Sequence, residues 1–429
     1  MERLENTRVL FYVQLKRRDL FSMRKLARAL DAEGGFSVRL SGTSDFPLAV
    51  MAFRPHIVVI GKPDNAEGDW LRCISGCTVL SLNPEQHGDG RERVLSNFTN
   101  KLNSERDQAV DLVDHHLFVD EQTMSFLTPF IDPGRMHLVG YPRLFAERYA
   151  KEPNQVTGDM VIGVACGIDF RDKKQLLDEF RNYQDSGFEP LPSIQAVLVS
   201  DLLEYLWINT IVDQLKDKYR IIVRYRHGDG KYLLDERGVE LDSSATLEYL
   251  FANSDLVLIG RSSVGIEASM AGIPAIAVSS LFQLGDGDPG AKDLPSVQTL
   301  WQPKNLEDLL KMVERRSDNG LNLVPDLDAY EGFVRPSYFC GGEVDHSVEN
   351  IVGVVRQCDP GVGATMDRKR FRALVEPSGS MRFLLWFAGV ISSRLAYRVL
   401  LVYLGLRAKW APDAYLLHEA YIPERGRDS

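Results

Sequence analysis

The sequence predicts an α/β protein with two doubly wound, Rossmann-like domains facing a cleft, followed by a helical C-terminal segment. Short, continuous apolar runs alternate with stretches of helical periodicity, which is the pattern of buried parallel strands joined by helices. A polar stretch at 151–158 interrupts this alternation, and the pattern then restarts. We therefore place an N-terminal domain at 1–150, a second domain at 158–360 and a helical, amphipathic tail at 365–429.

The composition is that of a long globular chain. Its 429 residues exceed what one ordinary domain needs, and 44% of them are hydrophobic and 26% charged. The formal net charge of -10 argues against nucleic acid as a partner. The five cysteines are scattered and odd in number, as in a reducing compartment. Because the start of the chain shows no signal-peptide pattern, we expect a cytoplasmic protein, either free or at the inner face of the plasma membrane.

Each domain is a series of predicted strands that alternate with helices. In the first domain a helix is expected at 20–30, and strands at 8–13, 38–40, 56–60, 78–82, 117–119 and 137–140. In the second domain helices are expected at 193–215 and 264–271, and strands at 160–165, 220–224, 255–260 and 274–278. Open parallel sheets bind ligands beyond the carboxyl ends of their strands, so the site should lie in the turns that follow them.

The turn after the strand at 255–260 is the best candidate for a binding site. It contains Ser262 and Ser263 and opens the next helix. Hydroxyls and free backbone N–H groups at a helix N-terminus suit a phosphate or a diphosphate. Glu267 lies one turn inside this helix, one residue too far from Ser263 to form a capping box. It is either a ligand of ribose hydroxyls or a solvated acid in the first turn.

The same segment resembles a known family. Residues 262–276 read S-S-x-G-I-E-A-x-x-x-G-I-P-A-I, which is similar to the donor-nucleotide motif of glycosyltransferase-B (GT-B) enzymes. Among these enzymes it is closest to the surface carbohydrate biosynthesis and capsule-polysaccharide proteins. The resemblance implies that Ser262 and Ser263 contact phosphate and that Glu267 contacts ribose. It also implies a nucleotide-sugar donor, which is a substrate, so we expect no cofactor.

A second resemblance lies upstream, at 221–227. These residues read I-I-V-R-Y-R-H and resemble the strand that ends in Arg-Pro-His-Pro in the same family. Two registrations are open: Arg224 with His227, or Arg226 with His227. A cation and an imidazole at the end of a strand can hold phosphates, and the alternative is a charged surface loop.

A transferase of this type also needs a catalytic base if it inverts the anomeric centre. The base is expected from the first domain, where the segments 16–20 and 83–88 resemble the family faintly. Glu85 and His87 follow the end of a predicted strand, and Asp19 lies just beyond the first strand. Each has a plainer interpretation, as a turn residue for Glu85 and His87 and as a helix cap for Asp19.

Lys16, Arg17 and Arg18 form a basic turn after the first strand. This turn either holds an anionic acceptor, such as a lipid-linked diphosphate sugar, or is simply solvated. No Asp-x-Asp metal motif stands beside a donor strand, and residues 286–288 lie in a glycine-rich loop that suits a flexible lid. We therefore predict that the protein needs no metal.

The segment 381–410 is apolar and aromatic, with spaced basic residues. Its longest uncharged apolar stretch is about half the length of a membrane span. It therefore suits either an amphipathic segment in a bilayer interface or a pair of helices packed on protein.

These features predict a glycosyltransferase that moves a sugar from a nucleotide-activated donor to a surface-polysaccharide or lipid-linked glycan acceptor. A nucleotide-sugar 2-epimerase and a polyol-phosphate transferase share the architecture and are the alternative enzymes. A non-catalytic scaffold is the third alternative, and it predicts no nucleotide binding and no effect of changing Glu267.

Overall fold

The structure is a computed structural model that describes residues 7–13, 16–42, 46–61, 70–82, 111–142, 155–166, 192–225, 238–242, 247–260, 264–281, 298–338 and 346–367. These residues form two compact units. The first unit holds the described residues up to 142 together with those from 336 onward. The second unit holds the described residues from 155 to 335.

The first unit is built on a parallel sheet. In chain order its elements are β1 (Thr7–Val13), α1 (Lys16–Glu33), β2 (Phe36–Gly42), α2 (Phe46–Phe53), β3 (Ile57–Ile60), β4 (Ile74–Ser75), β5 (Thr78–Leu82), β6 (His115–Phe118), α3 (Glu121–Leu127), a 3-10 turn (Pro133–Arg135) and β7 (Met136–Leu138). Six of these strands pair in the order β2-β1-β3-β5-β6-β7, all of them parallel. The order changes direction between β1 and β3, which is the switch point of this sheet.

Helices cover both faces of the first sheet. On one face α1 buries Leu26 and Leu30, which are four residues apart and pack against strand residues such as Phe11. On the other face α2 buries Phe46, whose ring meets the ring of Tyr12 edge-on with centroids 4.8 Å apart. Because both faces are covered, β3 and the part of β1 from Val9 onward are continuously apolar rather than alternating.

The second unit repeats this design. Its elements are β8 (Val161–Cys166), α4 (Pro192–Leu215), β9 (Arg220–Tyr225), β10 (Glu240–Leu241), α5 (Glu248–Ala252), β11 (Leu256–Ile259), α6 (Val264–Met270), β12 (Ala275–Ala277), a 3-10 turn (Val278–Leu281), α7 (Leu306–Ser317) and α8 (Leu327–Tyr338). The strands pair in the order β10-β9-β8-β11-β12, again all parallel. The predicted fold class, two doubly wound α/β units, is confirmed.

The chain returns to the first unit at the end of α8, whose last three residues, 336–338, already belong to it. The helix α9 (Ser347–Gln357) buries Val348 and Ile351 in the core that also contains the apolar face of α1. Its Arg356 pairs with Glu33 of α1 at 2.9 Å. The second unit therefore ends at Arg335, earlier than the limit of 360 expected from the sequence, because the apolar face of α9 is buried on the first sheet.

The short strand β13 (Thr365–Met366) pairs antiparallel with β4 in the first unit. The backbone N–H groups of Ala364 and Asp367 donate to the carbonyls of Pro55 and Cys73 on either side of this pair. The tail was expected to be helical from residue 365, so this prediction is wrong for its first residues. The segment 381–410 lies outside the described residues. Among the helices that are described, none combines the length and the apolar character of a membrane span.

Candidate functional site

The strand order of the second sheet locates a candidate site. The order β10-β9-β8-β11-β12 reverses between β8 and β11, and ligands of open α/β sheets bind at the carboxyl ends of the strands at such a reversal. The residues at these ends are Cys166, the last of β8, and Gly260, which follows β11. The candidate site therefore consists of the side chains that lie at these two strand ends.

Glu204 of α4 lies directly at this place. Its side chain is completely buried. A Cβ atom added to Gly260 would lie only 2.0 Å from the Glu204 Oε1 atom and 2.4 Å from its Cδ atom. Burial raises the pKa of the Cys166 thiol, and the nearby charge of Glu204 raises that pKa further. One carboxylate thus adjoins both strand ends, and residue 260 has to be glycine for it to fit.

Glu267 is the second buried carboxylate at this edge of the sheet. It lies in α6, the helix that follows β11, and its side chain is 7% exposed. The helix packs closely on its own strand, because a Cβ atom at Gly265 would be 2.6 Å from the Cδ1 atom of Ile259. Glu267 is therefore a buried acid rather than the solvated first-turn acid that the sequence left open as an alternative.

Arg224 and Asp242 form a buried ion pair at the carboxyl ends of β9 and β10. The Arg224 Nη1 atom donates to the Asp242 Oδ2 atom at 2.7 Å, and the two side chains are 9% and 1% exposed. The guanidinium expected to hold phosphate thus has a carboxylate partner from the neighbouring strand end. This pairing orients Arg224 at the end of its strand.

Several residues expected at the site lie outside the described residues. These are Glu85, His87, Arg226, His227, Ser262 and Ser263. Asp19 and the three basic residues before it belong to α1, although the structure describes their backbone and not their side chains. The helix begins at Lys16, so the expected basic turn is the first turn of a helix and Asp19 is not its cap. Sequence reasoning began the helix at residue 20, because the apolar residues at helical spacing begin there.

Sequence reasoning missed Glu204 and Asp242. Glu204 stands within the apolar run of α4, and a buried charge inside such a run was the one signal that could have identified it. Asp242 follows a strand of two residues, which is too short to be recognised from its pattern. Among the described residues, the carboxyl edge of the second sheet holds three buried acids, Glu204, Asp242 and Glu267, and one buried cation, Arg224.

Comparison with known proteins identifies the fold of this chain but no sequence family. No protein-family model and no curated protein sequence matches this chain. The structure is similar to that of the wall teichoic acid polymerase TagF, with a TM-score of 0.50 and 14% sequence identity over 82% of this chain and 88% of that chain. The fold is of the GT-B type. A TagF variant soaked with CDPG gives the same TM-score of 0.50, at 12% identity and with the same coverage of 82% and 88%.

A putative UDP-N-acetylglucosamine 2-epimerase from Listeria monocytogenes is also similar to this chain. Its TM-score is 0.48, with 13% identity over 83% of this chain and 98% of that chain. That TM-score is too low to support a conclusion, and the low identities of the two TagF structures establish only the GT-B fold of this chain. Its substrate has to be argued from its own residues.

Proposed function

We propose that this GT-B chain is a glycosyltransferase that moves a sugar from a nucleotide-activated donor to a surface-polysaccharide or lipid-linked glycan acceptor. The observation that carries the proposal is the buried carboxylate of Glu267, one turn into the helix that follows β11 at the switch point of the second sheet. A carboxylate at this place is an acceptor for two hydroxyl donors, and the 2′ and 3′ hydroxyls of a ribose are such a pair.

Burial makes this interaction selective. A carboxylate in a site of low dielectric constant forms strong hydrogen bonds with hydroxyl donors. The excess of buried acids among the described residues of this edge favours the neutral, hydroxyl-bearing part of a nucleotide there. The phosphates are then assigned to Ser262, Ser263 and His227, as the sequence motif implies, together with Arg224, which Asp242 holds in place, or with Arg226 in the other registration.

The remaining roles in the proposal rest on the sequence. The catalytic base is Glu85, His87 or Asp19 from the first unit, and Lys16, Arg17 and Arg18 hold an anionic acceptor. The protein works without a metal and without a cofactor. It acts in the cytoplasm, with the segment 381–410 in contact with the membrane surface.

Removal of divalent metal ions with a chelator should leave nucleotide binding and turnover unchanged, and a loss of turnover would contradict metal independence.

Thermal shift in the presence of nucleotides tests the donor site. A ligand that binds only the folded protein must raise its melting temperature, so UDP, GDP, CDP, CMP and dTDP are compared at equal concentrations. We expect one of them to stabilise the protein and Glu267→Gln to abolish most of that stabilisation. Glu314→Gln is the matched control, because Glu314 is an exposed acid in the same unit. If the nucleotide stabilises both variants equally, Glu267 does not belong to the binding site.

The same screen separates the alternatives. Stabilisation by a uridine nucleotide, followed by conversion of the nucleotide sugar without any acceptor, would indicate a 2-epimerase. Turnover of a CDP-linked polyol would indicate a polyol-phosphate transferase. If no nucleotide shifts the melting temperature of the wild-type protein, the transferase proposal fails and the scaffold becomes the better description.

A further inference from the structure

Residues 359–367, here called the strap, cross the amino end of the first sheet, where they bond to residues just before β3 and at the start of β5. The backbone N–H of Gly363 donates to the Gly76 carbonyl at 2.9 Å, beside the pairing of β13 with β4. The fit is close at Gly361, where an added Cβ atom would lie 2.5 Å from the Gly76 carbonyl oxygen. The strap is therefore fixed on the first unit, and so is Asp367, its last residue.

Basic residues and an exposed apolar side chain meet at Gly363 of the strap. A Cβ atom added there would be 3.1 Å from the Arg8 Nη2 atom, 3.4 Å from the Arg54 carbonyl oxygen and 3.4 Å from the His56 Cδ2 atom. Arg54 is exposed. Burial lowers the pKa of Arg8, and the neighbouring charge of Arg54 lowers it further. Val362, the next residue of the strap, is 90% exposed, more than any other large hydrophobic residue that the structure describes.

A basic run begins where the strap ends. Residues 368–372 read R-K-R-F-R, which is four basic residues and one phenylalanine. They lie outside the described residues, but consecutive Cα atoms are about 3.8 Å apart, so all five lie within roughly 19 Å of the Asp367 Cα atom. The exposed acids Asp359 and Asp367 of the strap offset Arg8 and Arg54. The net positive charge of these groups is therefore that of the run.

The combination of charge and apolar exposure favours a membrane as the partner. A short run of basic residues is attracted to anionic lipid headgroups, and apolar side chains beside it enter the bilayer interface. Nucleic acid would also neutralise the run, but it gains nothing from an exposed valine at the same place. The apolar segment 381–410 follows the run in the same chain.

We propose that the strap, together with Arg54 and the run 368–372, is a surface that docks the first unit on an anionic membrane. The proposed function assigns only the segment 381–410 to the membrane. The docking surface adds an electrostatic contact next to the folded unit, and such a contact strengthens the binding of an amphipathic segment. This inference does not depend on the donor site, which lies in the second unit.

Vesicle flotation of the full-length protein tests the surface. We expect binding to vesicles of phosphatidylglycerol and phosphatidylcholine that weakens as the salt concentration rises, and little binding to phosphatidylcholine alone. The run variant carries Arg368→Gln, Lys369→Gln, Arg370→Gln and Arg372→Gln. It should bind on the order of several hundredfold more weakly, at about fivefold per charge. The control has the same change in charge on exposed residues of the second unit and should bind like the wild type: Lys218→Gln, Lys304→Gln, Lys311→Gln and Arg315→Gln.

Two single variants test the described part of the surface while preserving the fold. Val362→Ser shortens the apolar character of a side chain that is 90% exposed. Arg54→Asn removes a charge and keeps a residue that tolerates the left-handed backbone at φ 50°. Each should weaken vesicle binding about threefold to fivefold. If both bind like the wild type, or if the run variant does, the membrane contact belongs to the segment 381–410 alone and the proposal is wrong.

Two further results separate this surface from other interpretations. Binding of the wild-type protein to single-stranded RNA, without binding to the anionic vesicles, would replace the membrane by nucleic acid and overturn the proposal. The melting-temperature shift of the run variant with nucleotide should equal that of the wild type. A failure of the donor site is therefore read separately from a failure of membrane docking.

Discussion

The two sheets join neighbouring strands at their amino ends in the same way. In the first sheet the residue before β6, Asp114, accepts from the Val79 N–H through its side chain at 2.7 Å and donates its own N–H to the Val79 carbonyl at 2.8 Å. In the second sheet the residue before β11, Asp255, makes the same two bonds with Val161, at 2.9 Å and 2.8 Å. Each aspartate accepts from an N–H in the first two residues of the adjacent strand, which would otherwise lack a partner.

An arginine completes each of these junctions. The Arg135 Nε atom donates to the Asp114 carbonyl at 3.3 Å, and the Arg316 Nε atom donates to the Asp255 carbonyl at 2.8 Å. Arg316 is buried, and burial lowers its pKa while the charge of Asp255 raises it. The shared arrangement in two unrelated stretches of sequence indicates that the amino ends serve stability.

The carboxyl ends of the two sheets differ. In the first sheet short polar side chains bond to nearby backbone groups: Ser81 Oγ donates to the Gly61 carbonyl at 2.9 Å, and Asp120 caps α3 by accepting from the Thr123 N–H at 2.6 Å. In the second sheet the described side chains at this end are the buried acids around Gly260 and the Arg224–Asp242 pair. Buried charge costs stability unless it is compensated, so its concentration among the described residues at this end of the second sheet supports the proposal that the binding site lies there.

The largest expected effect comes from splitting the buried ion pair. Arg224→Met leaves the Asp242 carboxylate buried without its cation and should lower the free energy of unfolding by about 3–5 kcal/mol. The double variant Arg224→Met with Asp242→Leu should recover most of that loss, because neither charge remains. Urea unfolding of the two single variants and the double variant measures the coupling. Additive losses would mean that the pair is not a unit, and the contrast between the sheet ends would then be weaker than we describe.

A methyl group at Gly260 should have the next largest effect. Gly260→Ala forces the added carbon against the Glu204 carboxylate and should destabilise the protein by about 1–3 kcal/mol, with loss of nucleotide stabilisation. Combining it with Glu204→Ala should relieve the clash and restore the melting temperature, as measured by thermal unfolding. Gly353→Ala is the control, since a Cβ atom there has nothing within 4 Å. If Glu204→Ala does not rescue Gly260→Ala, the carboxylate does not occupy this place in solution.

These two sites also show what the sequence could and could not predict. The longer strands were predictable because each contains an apolar run, whereas the two-residue strands β4, β10 and β13 were not. Glu267 was found because it belongs to a contiguous motif around the turn after β11. The contact of Glu204 with Gly260 joins residues far apart in the chain, and no local pattern encodes it. The return of α9 to the first unit was missed for the same reason, because its apolar face fits either sheet until packing decides.

The shared amino-end junction predicts matched losses in the two units. Asp114→Ala and Asp255→Ala should each lower the free energy of unfolding by roughly 1–3 kcal/mol, because each leaves a strand N–H without an acceptor. Neither change should alter nucleotide affinity, since Asp255 lies at the end of the second sheet opposite the candidate site and Asp114 belongs to the first sheet. Parallel thermal melts with and without the stabilising nucleotide check both points. A selective loss of nucleotide binding in Asp255→Ala would show that the two ends of the second sheet are not independent.

The smallest expected effect is on the pH dependence of stability, which should differ between the first unit and the second. At its amino end the His115 Nδ1 and His137 Nε2 atoms lie 3.0 Å apart, and burial followed by the charge of His115 lowers the His137 pKa below its ordinary value of 6.5. The pKa of His56 is lowered by burial and by Arg8, whose backbone N–H donates to the His56 Nδ1 atom at 3.1 Å.

Both lowered pKa values give the same sign of pH dependence. A histidine whose pKa is lower in the folded state binds protons more readily when unfolded, so its contribution to stability is present above the ordinary pKa of 6.5 and is lost as the pH falls through the lower value. Acidification from neutral pH should therefore unfold the first unit before the second, and His137→Gln should make its melting temperature less dependent on pH. Hydrogen exchange measured at two pH values reports the stability of each unit separately. Equal acid sensitivity of both units would show that the histidines of the first sheet do not set it.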